Sequence, residues 1–116
     1  MDSDLIISPS WAKEVLTSTT QSIAWDQLKL LTKKGTQKYL EMSYIDHSEI
    51  SQTKYPAMGG AAGGAMFISR DLFFKIGGIP EDFYGSWGGE DNAFWAKLAH
   101  TGHKLGKFTS TIYHLY

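Results

Sequence analysis

Apolar positions fall in short bursts along the chain, and their spacing predicts strands and helices in mixture. Leu5-Ile6-Ile7, ended by Ser8-Pro9, has the form of a short buried strand. Ser10 is placed as a helix N-cap, with Trp11, Val15 and Leu16 on one side of a short helix. That helix ends across Thr17-Ser18-Thr19-Thr20, whose hydroxyls compete for backbone hydrogen bonds. Ile23, Trp25, Leu28, Leu30 and Leu31 suit a second helix over 23–34, stopped by Gly35. Lys38 to Ile45 nearly alternates and predicts a strand, and the polar stretch from Asp46 to Ala57, with Pro56, predicts a loop.

Met58 to Gly64 holds four glycines and two alanines, which suits either close approach by a ligand or backbone, or a flexible connection into a strand at 65–68. Ser69 caps a predicted helix from Arg70 to Ile76, closed by Gly77-Gly78, with Leu72, Phe73 and Ile76 facing the core. Glu81-Asp82 follows Gly-Ile-Pro and is placed on an exposed turn. In Trp87-Gly88-Gly89-Glu90-Asp91-Asn92 two adjacent carboxylates open a helix behind a bare turn. Phe94, Trp95 and Leu98 follow Asp91 at helical spacing, so the aspartate shares a face with an apolar stripe and points inward. Helix capping alone accounts for one such acid and less well for two. The helix is expected to end near Gly102, before short strands at 104–108 and 111–116.

Composition narrows the chemistry. The 116 residues carry 11 Lys and Arg against 12 Asp and Glu, a formal net charge of −1, and Lys33-Lys34 is the single adjacent basic pair. The basic footprint of a nucleic-acid binder is missing. Without cysteine there are no disulfides and no thiolate metal sites, which fits a reducing compartment. No apolar run approaches the roughly 18 residues of a membrane span, and no basic start with an apolar signal core is present. The length suits one domain over 1–116.

The order of a Gly-Gly strand (Gly63-Gly64-Ala65-Met66-Phe67), a helix, a Gly-x-Pro turn (Gly78-Ile79-Pro80), Trp87-Gly88-Gly89-Glu90-Asp91 and a late Tyr113-His114 resembles the galactosyltransferase-type C-terminal region of GT-A fold glycosyltransferases. That region occurs in β-1,4-galactosyltransferases, polypeptide N-acetylgalactosaminyltransferases and bacterial chondroitin-polymerase-like family 2 enzymes, the last looking nearest. The resemblance covers about residues 57–116. Asp2-Ser3-Asp4 matches the Asp-x-Asp signature of the same fold. It implies an α/β fold, the C-terminal half of a GT-A domain with a small mixed sheet and flanking helices, lacking the N-terminal nucleotide-binding half.

The resemblance also implies a chemistry. The chain is expected to transfer a sugar from a nucleotide-diphospho-sugar, a UDP-sugar in the first instance, to a carbohydrate acceptor in polysaccharide biosynthesis. Mn²⁺, or Mg²⁺, would be held by Asp4 and His114, and would stabilise the departing diphosphate. Asp2 would lie nearer the ribose, with Gly63, Gly64, Gly88 and Gly89 lining the substrate. Asp91 is the candidate base for the acceptor hydroxyl, with Glu90 orienting acceptor hydroxyls and Trp87 offering an aromatic face to a sugar ring. A single attack of this kind inverts configuration, although some relatives retain it. Asn92 stands where that pattern has an acid and Gly85-Ser86 where it has an aromatic-Gly step, which leaves acceptor identity open. His100 and His103 are placed on the surface, not on a metal. A bacterial cytoplasmic setting is expected, and self-association into a homo-oligomer is left open. The competing expectations are a non-catalytic carbohydrate-binding or scaffold remnant and a metal-dependent hydrolase.

Overall fold

The computed structural model describes residues 2–56, 63–79 and 89–116. Their elements run β1 (Leu5–Ile6), α1 (Pro9–Thr17), β2 (Ser22–Ile23), β3 (Gln27–Leu31), α2 (Lys33–Met42), a 3₁₀ turn (His47–Glu49), β4 (Ile50–Lys54), β5 (Met66–Phe67), α3 (Arg70–Lys75), α4 (Glu90–His100) and β6 (Thr111–His114). This is a small mixed α/β fold. Four strands form a sheet in the order β1-β6-β3-β4, and β2 with β5 forms a separate ribbon. β6 runs antiparallel to β1, with Leu5 opposite His114, and parallel to β3, with Leu30 opposite His114. β3 and β4 are antiparallel.

Local chemistry fixes the helix starts. Ser8, not Ser10, caps α1 by accepting the Trp11 N–H, and Pro9 fills the first turn, where its missing N–H costs nothing. Ser69 accepts the Leu72 N–H to start α3, as expected. Gly77 and Gly78 then take positive φ, the conformation that ends a helix most cheaply in glycine.

The middle of the chain departs from expectation. Residues 23–34 hold no helix: Ser22–Ile23 pairs with β5, and Gln27–Leu31 is an inner strand with neighbours on both sides. Gln27-Leu28-Lys29-Leu30-Leu31 mixes polar and apolar positions without strict alternation, so a helical period fits it as well as a strand period. Gly35 does not stop a helix but lies in the first turn of α2, where Thr32 caps by accepting its N–H. The expected strand at 38–45 is therefore mostly helix, and the expected loop at 46–57 carries the 3₁₀ turn and β4. Residues 104–108 form no strand, only an isolated bridge from Leu105 to Gln21.

Two apolar clusters hold these elements together. Trp25, Leu28, Phe108 and Ile112 centre the first, with Leu5 and Trp11 packed against it. Leu72, Ile76, Phe94, Trp95 and Leu98 form the second, so the predicted inner faces of α3 and α4 are confirmed. Ile23 touches both. Each fully buried large side chain contributes about 1.5–3 kcal/mol. Among the described residues no helix is long and apolar enough to cross a membrane.

Candidate functional site

Antiparallel pairing of β1 with β6 sets the site. Asp4 precedes β1, His114 ends β6, and the Leu115 N–H donates to the Asp4 carbonyl at 2.9 Å. His114 Nε2 consequently lies 3.4 Å from Asp4 Oδ2. One carboxylate oxygen each of Asp2 and Asp4 and an imidazole nitrogen of His114 all fall within 4.8 Å of one another. His114 is half-buried, and both aspartates are open to solvent.

The histidine's other nitrogen decides what this group can hold. Nδ1 is hydrogen-bonded to the Leu115 carbonyl, which can only accept, so Nδ1 carries the proton. In a neutral ring Nε2 then presents a lone pair to a carboxylate oxygen. Two acceptors at that distance need a proton or a cation between them. Neighbouring ligands of a six-coordinate cation with bonds near 2.1 Å stand roughly 3 Å apart, close to the observed separation. Two carboxylates and one imidazole suit Mn²⁺ or Mg²⁺, and no sulfur is present to favour a softer ion.

Asp91 approaches the same place from α4. Gly89 begins that helix at φ 95° without a side-chain cap, and Glu90 and Asp91 occupy its first turn. The Asp91 carboxylate lies against Gly63, where a methyl group in place of hydrogen would overlap Asp91 Oδ2. The carbonyl of the next residue, Gly64, accepts the Asp2 N–H at 2.7 Å. Adjacent glycines thus touch the Asp91 carboxylate on one side and the Asp2 backbone on the other. Burial, and then repulsion from Glu90 and Asp2, push the Asp91 carboxyl above the usual carboxylate range.

Of the residues singled out in the sequence, Asp2, Asp4, His114, Asp91, Gly63 and Gly64 therefore converge. Glu90 and Gly89 sit at the same helix start. Trp87 and Gly88, and likewise Glu81-Asp82, lie outside the described residues. His100 is exposed and His103 bonds to Thr101 through Nδ1, and neither belongs to the Asp2–Asp4–His114 group. A cleft of about 360 Å³ adjoins the glycine segment through Trp25, and includes Asp26, Tyr55, Lys107 and Phe108 in its walls. Sequence reasoning did not single out Trp25, whose indole N–H donates to the Gly63 carbonyl at 3.0 Å. Its apolar neighbours placed it on a helix face, and nothing local signalled a bond to a residue so far along the chain.

The family model described as the N-terminal domain of galactosyltransferase matches residues 46–116. The chain belongs to the galactosyltransferase family. Among its curated relatives, rat β-1,4-galactosyltransferase 6 is 37% identical over 59 residues, covering 45% of this chain and 15% of the relative. Pig β-1,4-galactosyltransferase 5 is 36% identical over 59 residues, with the same coverage. Human β-1,4-galactosyltransferase 2 is 35% identical over 48 residues, 41% of this chain and 13% of the relative. This galactosyltransferase-family chain thus spans about 15% of the length of the first two relatives. No solved structure gives a significant match. The expected bacterial cytoplasmic setting is overturned, because these galactosyltransferases are mammalian proteins.

Proposed function

We propose that this chain carries the cation- and acceptor-handling side of a GT-A fold glycosyltransferase that moves a sugar from a nucleotide-diphospho-sugar to a carbohydrate hydroxyl with inversion. The supporting observation is the convergence of Asp4 and His114, from opposite ends of the chain, beside the glycine pair that Asp91 touches. Family membership supports the same chemistry.

Asp4 and His114 would hold a divalent cation, with Asp2 beside it. The cation, when bound, supplies positive charge to the diphosphate as it leaves. Asp91 receives the acceptor proton at Oδ1 or Oδ2, and its upward shift brings its basicity nearer that task. Glu90 orients acceptor hydroxyls. In the adjoining cleft Tyr55, 60% exposed, offers an aromatic face to acceptor C–H groups.

Calorimetry with a UDP-sugar, with and without Mn²⁺, tests the assignment, together with product analysis in the presence and absence of acceptor. Mn²⁺-dependent donor binding and acceptor-dependent transfer are expected. Sugar binding indifferent to both metal and nucleotide would replace the enzyme with a carbohydrate-binding module. Sugar release without acceptor would make it a hydrolase.

A further inference from the structure

We propose that Trp25 is a positioning residue: through the Gly63–Gly64 backbone it sets the spacing between Asp91 and the Asp2–Asp4–His114 group. The consequence for turnover rests on the transferase assignment above, whereas the brace itself does not.

Trp25 is 1% exposed, and its one polar side-chain atom donates to the Gly63 carbonyl at 3.0 Å. A buried indole N–H needs a partner, yet this fold does not supply one to every such group. Among the described residues the Trp95 indole N–H and the Ser22 hydroxyl are buried with no hydrogen-bond partner. The Trp25 bond therefore marks a specific anchor, placed on the peptide that matters to the site.

Gly63 and Gly64 divide the contacts between them. Gly63 leaves room for the Asp91 carboxylate, and Gly64 accepts the Asp2 N–H. Gly64 adopts φ 87° and lies under the same indole, where an added Cβ would come 3.7 Å from Trp25 Nε1. The brace is itself braced. Ala24 donates its N–H to the Ala65 carbonyl at 2.8 Å, and its carbonyl accepts the Trp11 indole N–H at 2.6 Å. Trp11 belongs to α1, which follows the strand next to Asp4. Two indoles thus link α1 to the glycine pair, and through it tie the helix acid to Asp2. Any slide of the Gly63–Gly64 unit moves both sets of contacts at once.

Trp25→Phe keeps an aromatic ring and removes the donor. It is expected to lower kcat about 100-fold, the scale of an ångström-level displacement of a base, while donor KM and Mn²⁺ affinity stay within about twofold. A folded Trp25→Phe protein with unchanged kcat, or with kcat loss matched by loss of Mn²⁺ affinity, would overturn the proposal. If the phenylalanine variant does not fold, Trp25→benzothienylalanine, which retains the indole shape without its N–H, is read by the same criteria. A second measurement needs neither variant nor turnover. Exchange of the Trp25 indole hydrogen in the unaltered protein should be at least about 100-fold slower than in free tryptophan. Exchange at the free rate overturns the brace. Absence of transfer by the unaltered protein overturns the transferase assignment instead, and the exchange rate then decides the brace alone.

Discussion

His114 Nε2 and Asp4 Oδ2 face each other across 3.4 Å, while His114 Nδ1 is occupied by the Leu115 carbonyl. Asp4→Asn and His114→Ala should each weaken Mn²⁺ binding by at least about tenfold, since each removes a ligand of the proposed cation site. The free-ion signal of Mn²⁺ in electron paramagnetic resonance titrations measures this directly. Unaltered affinity in both variants would remove the site.

Gly63→Ala tests the contact with Asp91. The backbone at Gly63 does not need positive φ, so alanine is strained only by the overlap with Asp91 Oδ2. The carboxylate must move, and kcat should fall about 10–100-fold with Mn²⁺ affinity retained. Steady-state kinetics beside metal titration give both numbers.

Asp91→Asn should trade activity for stability. Burial, Glu90 and Asp2 raise the Asp91 carboxyl above its unfolded value, so its contribution to folding is fully present below the unfolded pKa. That contribution is lost as pH rises through the folded pKa. At neutral pH the asparagine variant should therefore melt higher than the parent, and the gap should close on acidification. Transfer should fall by about 10²–10⁴-fold, the usual worth of a general base. Thermal melts between neutral and acid pH, with an activity assay, check both halves.

Glu14 behaves in the opposite sense. From α1 it accepts the Thr109 N–H at 2.6 Å and the Ser110 hydroxyl at 2.5 Å, which pins the segment leading into β6. Burial raises its pKa, but the hydrogen bonds from Ser110 and Thr109 outweigh that and the net shift is downward. Its stabilisation is present above the unfolded pKa and is lost as pH falls through the folded one. Glu14→Ala should cost about 1 kcal/mol at neutral pH after allowance for solvent screening, and progressively less in acid. Denaturant titrations at several pH values measure the difference.

Gly35→Ala distinguishes packing from propensity. Alanine is worth about 1 kcal/mol more than glycine inside a helix. At Gly35, however, a Cβ would stand 2.8 Å from the Glu49 Cβ and 3.0 Å from its carbonyl oxygen. Glu49 is held by Thr32 and Lys34, so the neighbour yields poorly and the variant should lose about 1–3 kcal/mol in chemical denaturation.

Legibility in the sequence followed the range of the signal. The caps at Ser69 and Gly77-Gly78 and the stripe of Phe94, Trp95 and Leu98 were readable because their causes lie within a few residues. Motif order singled out Asp4 and His114, though no spacing could show that they come within 3.4 Å of each other. The stretch from Ile23 to Lys54 was misread where tertiary contacts outvote local preference. Leu28, Leu30 and Leu31 join a strand because β4 and β6 flank it, and Gly35 sits inside a helix because Glu49 needs the space. The Trp25–Gly63 bond left no local mark, since its partners come from distant parts of the chain.

The position of β6 between β1 and β3 also constrains how the molecule is born. Among the described residues β1 pairs with β6 alone, so until Thr111 is reached β1 lacks that neighbour and the sheet lacks one of its inner strands. Pairing over such separations is slow, and edges left waiting are open to wrong partners. Residues 111–114 act as the keystone of the sheet, so early release of the nascent chain would leave β1 and the β3–β4 pair without the strand that joins them.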